Sequence, residues 1–254
     1  WAVYDSTDSK ETDTWNARFV QSFSHLFTLQ RDFDFGDEIL LEKYGKVRQN
    51  QLVMGKKSYS LVIIPPSLTW TESTLRLLQQ FIANGGKVVQ IKPTATLVGG
   101  VSNPLLKEVL GKVPVIENKA EALRQYLDQT LPQEFSVQAA KGDQVEKVWV
   151  HRRSLGRGNT LYFLINTDFH NAHEGQLLLS GEGKLEEWDM LSGEVKPRGG
   201  QQKGKKLVMP FRLEKAGSLL VVHSARGQVQ PLAKPLQPRW SRPFLRPRRA
   251  TKIC

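Results

Sequence analysis

Residues 59–91 place the strongest constraint on what this chain can fold into. The β-branched run Tyr59-Ser-Leu-Val-Ile-Ile64 is closed by Pro65-Pro66, which cannot continue a strand ladder. A helix is predicted next, because apolar residues follow a 3.6-residue period: Leu75, Leu78, Phe81 and Ile82. Gly85-Gly86 supplies a helix stop, and Lys87-Val-Val-Gln-Ile91 reads as a second strand. This order predicts a βαβ unit and a parallel sheet.

The segments around this unit continue the alternation of helices and strands. An amphipathic helix with an aromatic packing stripe is predicted from the spacing of Trp15, Phe19, Phe23, Leu26 and Phe27. Strands are predicted at residues 1–4, 31–35 and 113–115, a hairpin at 46–53, and helices at 103–110 and 120–131. The pattern favours an α/β domain at residues 1–131, with a doubly wound, mostly parallel sheet of the flavodoxin-like type.

The period changes at Pro132. Beyond it, turn signals separate short strand-like runs at residues 135–137, 145–151, 160–165, 175–179, 184–188, 205–210 and 218–222. Short strands at such intervals, with no helical segment between them, predict an antiparallel β-sandwich at residues 132–224. Residues 225–254 lose all periodicity and interleave proline with basic residues, which predicts a disordered or extended tail.

Composition excludes several classes of protein. No apolar run approaches twenty residues, so no membrane segment is predicted. The single cysteine, Cys254, excludes an internal disulfide framework and a cysteine-based zinc site, but it does not fix the compartment. Residues 226–254 hold eight Lys or Arg and no acid, leaving only +3 of the net +11 for the other 225 residues. The absence of an initial Met suggests a processed chain or a piece of a longer one.

No group of residues in the chain reads as a catalytic, cofactor-binding or metal site. The strand at 87–91 is followed by Lys92-Pro-Thr-Ala-Thr96, without the nucleophile of a Gly-x-Cys-x-Gly or Gly-x-Ser-x-Gly turn. His170 and His173 have a generic spacing, more typical of a solvated loop than of a zinc site. Glycosidases need two carboxyls facing each other about 5–9.5 Å apart. The adjacent carboxylates are instead interpreted as surface charge or helix starts: Asp32/Asp34, Asp37/Glu38 and Glu186/Glu187.

Two groups of motifs nevertheless resemble a known family. The first comprises Asp32-Phe-Asp-Phe-Gly-Asp-Glu-Ile-Leu-Leu41, the strand ending in Pro65-Pro66, and the helix ending at Gly85-Gly86. The second comprises Tyr162-Phe-Leu-Ile-Asn-Thr167, Glu187-Trp-Asp-Met-Leu-Ser-Gly-Glu194 and Leu213-Glu-Lys-Ala-Gly-Ser-Leu-Leu-Val-Val222. Together they resemble the region after the catalytic barrel in α-L-rhamnosidase-like enzymes of glycoside hydrolase family 106. The first group is also similar to the amidotransferase-like trimerisation domain of family 42 β-galactosidases, which has lost its nucleophile.

This resemblance implies a noncatalytic accessory region of a glycoside hydrolase. The enzymes it resembles carry their acid and base carboxylates in a barrel, and this chain has no segment patterned as one. The expected partner is therefore that barrel, in the same or a parent polypeptide. A homo-oligomer and a carbohydrate ligand are compatible with the resemblance; a cofactor, a membrane and nucleic acid are not expected. The alternative, based on the tail, is a basic-tailed protein that binds nucleic acid or another surface.

The tail separates these two readings. Its eight cations are expected to bind polyanions weakly and without regard to sequence. The affinity should fall steeply with salt, because each phosphate contact adds about 0.9 to the slope of log affinity against log salt concentration. Trp240 and Phe244, spaced among prolines, offer little stacking surface for single strands. Titration of a labelled single strand and a duplex at about 150 mM salt should show this binding disappear when residues 226–254 are removed. Submicromolar, sequence-dependent binding would contradict the accessory-region prediction.

Overall fold

A computed structural model describes residues 10–139, 142–228 and 230–231. The helices are α1 Lys10–Thr28, α2 Glu38–Tyr44, α3 Glu72–Ala83, α4 Pro104–Leu110 and α5 Ala120–Thr130. The first eight strands are β1 Gly45–Arg48, β2 Gln51–Met54, β3 Lys57–Tyr59, β4 Leu61–Ile64, β5 Thr69–Trp70, β6 Lys87–Ile91, β7 Leu97–Val98 and β8 Val115–Ile116. The strand predicted at residues 1–4, Cys254 and the tail beyond residue 231 lie outside the described residues.

The remaining strands all follow α5. They are β9 Phe135–Gln138, β10 Val148–Gly156, β11 Asn159–Asn166, β12 His173–Ser180, β13 Lys184–Trp188, β14 Val195–Arg198, β15 Gln201–Lys203, β16 Lys206–Leu213 and β17 Ser218–Ser224. The described chain thus combines helices and parallel strands in its first half with antiparallel strands in its second. None of its described helices has the length and apolar character needed to cross a membrane.

The parallel strands β4, β6 and β8 form a three-stranded sheet in that order. Helices cover both of its faces. On one face, Ile64 and Val88 belong to an apolar cluster with the buried α3 residues Leu75, Leu78 and Phe81. On the other, alternate strand residues pack against α1 and α5 in a second cluster: Leu61, Ile63, Ile116, Leu26, Leu29, Leu123 and Leu127. The period-2 alternation of β4 therefore sends successive side chains into two separate cores.

Helix α3 has the ends that its sequence predicts. Thr71 caps the first turn by accepting a hydrogen bond from the Thr74 amide, at 3.4 Å. At the other end, Gly85 adopts φ +82°, and the amide of Gly86 donates to the Phe81 carbonyl at 2.9 Å. A Cβ on Gly86 would lie 2.2 Å from the Phe81 ring, so both glycines are required by geometry.

Two of the predictions for the first half are corrected by the structure. Residues 31–35 are extended but belong to no strand, and Phe33 packs beside the cluster of α1 and α5 instead. Tyr59 belongs to the antiparallel sheet β1-β2-β3, which enlarges the predicted hairpin by one strand. The reason is Ser60, which separates two extended runs that the sequence joins into one apparent strand.

The second half contains two antiparallel sheets that share one core. Their strand orders are β10-β11-β17-β13-β14 and β15-β16-β12-β9. The core between them is formed by inward-facing residues from both sheets, including Val148, Tyr162, Leu164, Leu177, Leu179, Leu185, Met209, Phe211 and Val221. Strand β15 lies between the predicted runs at 184–188 and 205–210, where no strand is predicted, and it pairs with the start of β16.

Gln30 joins the two halves. Its side chain is almost completely buried, with 2% exposed. Its Oε1 accepts the Val137 amide at 2.5 Å, and its Nε2 donates to the carbonyls of Val137 at 3.1 Å and Val145 at 3.4 Å. The amide group thus pairs with strand β9 much as a neighbouring strand would. A stacked pair of Phe27 and Trp149, with ring centroids 4.4 Å apart, lies at the same junction.

Replacing Gln30 by Ala should destabilise the protein by about 1–3 kcal/mol, because the buried amide of Val137 in β9 loses the side-chain oxygen to which it donates. Gln49→Ala is the matched control. Gln49 also has a left-handed backbone, with φ +52° against +53° for Gln30, but its exposed amide has no hydrogen-bond partner in the described chain. Urea unfolding of both variants measures the difference. Equal midpoints would show that the Gln30 amide does not stabilise the junction.

Candidate functional site

The carboxyl edge of the parallel sheet is where open α/β sheets bind ligands. Proline-rich turns occupy this edge after β4 and β6. Ser67 lies in the first turn, where its hydroxyl donates to the Pro65 carbonyl at 3.1 Å and accepts the indole N–H of Trp70 at 2.8 Å. In the described part of the chain this hydroxyl contacts no imidazole or carboxylate, and its interactions hold the turn.

An ion pair closes the same edge after β6 and β8. Lys92 Nζ lies 2.5 Å from Glu117 Oε1, and this hydrogen bond lowers the pKa of the Glu117 carboxyl. Both side chains are more than half exposed, at 55% and 54%, so the pair contributes little stability. Neither group is desolvated in the way that a nucleophilic amine or a general acid requires.

The predicted histidine loop is organised around Asp168. Its Oδ1 accepts the amides of His170 and Asn171 at 2.8 and 3.1 Å, and its Oδ2 accepts Asn171 Nδ2 at 3.0 Å and contacts His173 Nε2 at 3.3 Å. These hydrogen bonds, led by the one from Asn171, hold the pKa of Asp168 well below its usual range. His170 contributes only its backbone to this arrangement, and His173 begins strand β12.

Both histidines thus contact the Asp168 carboxylate, His170 through its backbone amide and His173 through its ring. Beneath them, the buried Asn166 donates from Nδ2 to the carbonyls of Asn171 and Glu214 at 2.8 and 2.9 Å. Across the described ranges, no three His, Cys, Asp or Glu residues group in a way that could hold a metal ion.

The adjacent carboxylates each find a separate structural partner. Asp37 caps α2 by accepting the Leu40 amide at 3.0 Å, while Glu38 accepts the Thr71 hydroxyl at 2.7 Å. Glu186 pairs with Lys184 at 2.8 Å, whereas Glu187 pairs with Arg198 at 2.5 Å. Each of these four carboxylates is thus engaged by a different group, whereas glycoside hydrolysis needs two carboxyls that face each other across the substrate.

Asp32 and Asp34 lie near the junction of the two halves. Asp34 accepts the Tyr59 hydroxyl at 2.8 Å. Burial, together with this hydrogen bond, raises the pKa of Tyr59 to about 12. Burial also raises the pKa of Asp32, although Arg152 and Lys57 act against it. A carboxyl with a raised pKa is a feature of active sites. The nearby Asp34 carboxylate also raises the pKa of Asp32, but Asp34 itself is engaged by the Tyr59 hydroxyl and by Lys57.

Sequence reasoning missed a basic depression of about 200 Å³ on the first half. It is lined by Lys43, Tyr44, Lys46, Arg48, Val53 and Gly55. The signal that could have found it is the alternation of Lys46 and Arg48 with Val47 in strand β1, which places two cations on one face.

Comparison with known proteins identifies the fold but no family. No protein-family model and no curated protein sequence matches the chain. Among solved structures, a rhamnosidase from Novosphingobium sp. aligns with 80% of this chain at a TM-score of 0.57 and 18% identity. An α-L-fucosidase from Paenibacillus thiaminolyticus aligns with 82% at 0.50 and 9% identity. An exo-carrageenase of glycoside hydrolase family 42 from Bacteroides ovatus aligns with 82% at 0.49 and 14% identity.

The chain spans only part of each of these glycoside hydrolases: 21% of the rhamnosidase, 26% of the carrageenase and 45% of the fucosidase. At these identities the similarity shows a shared fold. It agrees with the resemblance in the sequence at that coarse level, since the neighbours are glycoside hydrolases.

Replacing Asp168 by Asn should destabilise the protein at neutral pH, and the loss should shrink in acid. Because folding lowers the pKa of Asp168 below its ordinary 3.8, its carboxylate stabilises the fold above that pH and ceases to do so as the pH falls through the folded value. Thermal unfolding between about pH 7 and pH 3 measures this. Asp143→Asn is the control, since Asp143 is exposed and its side chain makes no hydrogen bond among the described residues. A pH-independent difference would contradict this role of the charge.

Proposed function

We propose that this chain is a noncatalytic accessory region of a glycoside hydrolase, acting beside a catalytic barrel. The observation that supports it is the recurrence of this fold as a minor part of larger glycosidases. The two neighbours with TM-scores of 0.57 and 0.50 contain it as 21% and 45% of their chains. In this proposal the three-stranded parallel sheet is part of an amidotransferase-like, doubly wound domain at residues 1–131, followed by a sandwich domain at 132–224.

The interactions at the sheet edge support a structural role. In an active amidotransferase or hydrolase, the turn after a central strand presents a nucleophile and a base. Here Ser67 and Lys92 are engaged with Trp70 and Glu117 instead. Side chains that a reaction would need are thus used to hold the turns in place.

Exposed apolar residues support contact with another part of an enzyme. Three exposed apolar residues lie just before α2 and in its first turn. They are Phe35, Ile39 and Leu40, which are 64%, 74% and 48% exposed. Phe35 also continues a series of ring contacts with Phe33 and Phe23, at 5.3 and 5.5 Å. Clustered apolar exposure of this kind is typical of surfaces that other protein covers. The proposed role is to shield one side of a barrel or to contact a neighbouring subunit.

The purified chain is expected to hydrolyse neither p-nitrophenyl rhamnoside nor glutamine. A complete rhamnosidase serves as the positive control for the first assay. Turnover by this chain that a single substitution abolishes, such as Asp32→Asn or Ser67→Ala, would overturn the proposal. The coding sequence upstream of Trp1 supplies an independent measurement. A catalytic barrel in the same polypeptide needs about 250 residues there. An initiator Met immediately before Trp1 would contradict a barrel on that side of the same polypeptide.

A further inference from the structure

The depression on the first half is built where α2 meets the sheet β1-β2-β3. Strand β1 directs Val47 inward, toward the apolar core that contains Leu52, and it leaves Lys46 and Arg48 on the outer face. Val53 of β2 lies directly opposite Lys46 in the register. Helix α2 ends at Tyr44, immediately before β1, so Lys43 and Tyr44 form the rim of the same depression.

The charges of this depression are uncompensated. Lys43, Lys46 and Arg48 form no ion pair within the described residues, whereas Lys57 on the neighbouring strand lies 3.5 Å from Asp34. The carboxylate nearest in sequence, Glu42, is exposed and takes part in no ion pair in the described chain. Three cations around one hollow repel one another and favour the binding of an anion. Arg48 adds a planar fork suited to a carboxylate or a sulfate.

Tyr44 adds an aromatic ring to the cations of the depression. Tyr44 is 49% exposed, and Lys43 Nζ lies 5.2 Å from the centre of its ring. An exposed tyrosine offers an apolar ring face together with a polar tip. Beside the cations, this ring can contact the flat apolar face of a pyranose while the charged substituent of the sugar lies over Lys46 and Arg48.

We propose that this depression binds an anionic saccharide, recognised by a carboxylate or sulfate group on a single sugar residue. The choice of a saccharide rests on the proposed function, and the choice of an anion rests on the cations. A volume of about 200 Å³ suits one residue of a chain rather than a long segment. Single-stranded nucleic acid usually needs successive aromatic platforms, and the lining of this hollow includes one aromatic side chain.

The test titrates the full chain with a galacturonate trimer, a sulfated disaccharide from heparin, a neutral trisaccharide of matched length, and inorganic sulfate and phosphate. We expect the two acidic saccharides to bind and the neutral one not to bind. Lys46→Ala/Arg48→Ala should weaken acidic saccharide binding at least about tenfold, through the loss of charge-assisted hydrogen bonds. The matched control is Lys203→Ala/Lys205→Ala, which removes the same charge from an exposed hairpin of the second half.

Tyr44→Ala distinguishes a saccharide from a free ion. It should weaken the binding of the acidic saccharides but leave that of inorganic sulfate unchanged, because only the sugar ring uses the tyrosine face. If Lys46→Ala/Arg48→Ala and Lys203→Ala/Lys205→Ala lost the same affinity for the acidic saccharides, or if neither lost any, the binding would be due to the basic tail or to general charge. Either result would overturn the proposal. The proposal would also be overturned if inorganic sulfate or phosphate bound as tightly as the acidic saccharides. The same holds if a labelled nucleic-acid single strand bound more tightly than the saccharides and depended on the same residues.

Failure of this binding site and failure of the proposed function give different results. Glycoside turnover by the chain would overturn the accessory role while leaving the dependence of binding on Lys46 and Arg48 intact. Absence of that dependence would overturn the binding site alone. All the substituted side chains are exposed, so unchanged thermal unfolding of each variant is the check that the fold is retained.

Discussion

The structure depends on one residue, Gln30, that ends a helix and completes a sheet at the same time. The amides of Gln30 and Arg31 donate to the carbonyls of Phe27 and Leu26, which closes α1 in the manner normally assigned to glycine. A left-handed backbone at a residue other than glycine costs about 1–2 kcal/mol. A glycine would avoid that cost, but it could not supply the amide that pairs with Val137 and Val145. The sequence at this helix end is therefore set by the junction rather than by the helix.

The other contacts at the junction reinforce that placement. Gln144 of the second half donates from Nε2 to the Thr28 carbonyl at the end of α1. The stacked rings of Phe27 and Trp149 add apolar contact. The two halves are thus held by directional interactions that each fix one distance and one angle. A fixed orientation of the two halves is what the proposed accessory role would require.

How much of this follows from sequence depends on whether the information is local. The α3 helix and its ends were predictable because Thr71, Gly85 and Gly86 act on their own turns. Residues 31–35 were predicted as a strand from their local β propensity, but they pair with no other strand. Pairing depends on distant parts of the chain, which the local sequence does not reveal. Gln30 could not be identified as a junction residue, since its partners lie more than one hundred positions away. The roles of Asp168 and Ser67 were equally hidden, because each depends on hydrogen bonds set by loop geometry.

The side chains at the sheet edge and those of the α2–β1 depression differ in whether they have partners in the described chain. Ser67 and Lys92 at the sheet edge, and Asp168 in the histidine loop, are all engaged in hydrogen bonds within turns and loops. The cations of the α2–β1 depression, in contrast, have no anionic partner in the described chain. The proposed binding of an anion at the outer face of this small sheet rests on that absence of partners, because several like charges around one hollow favour an anionic ligand.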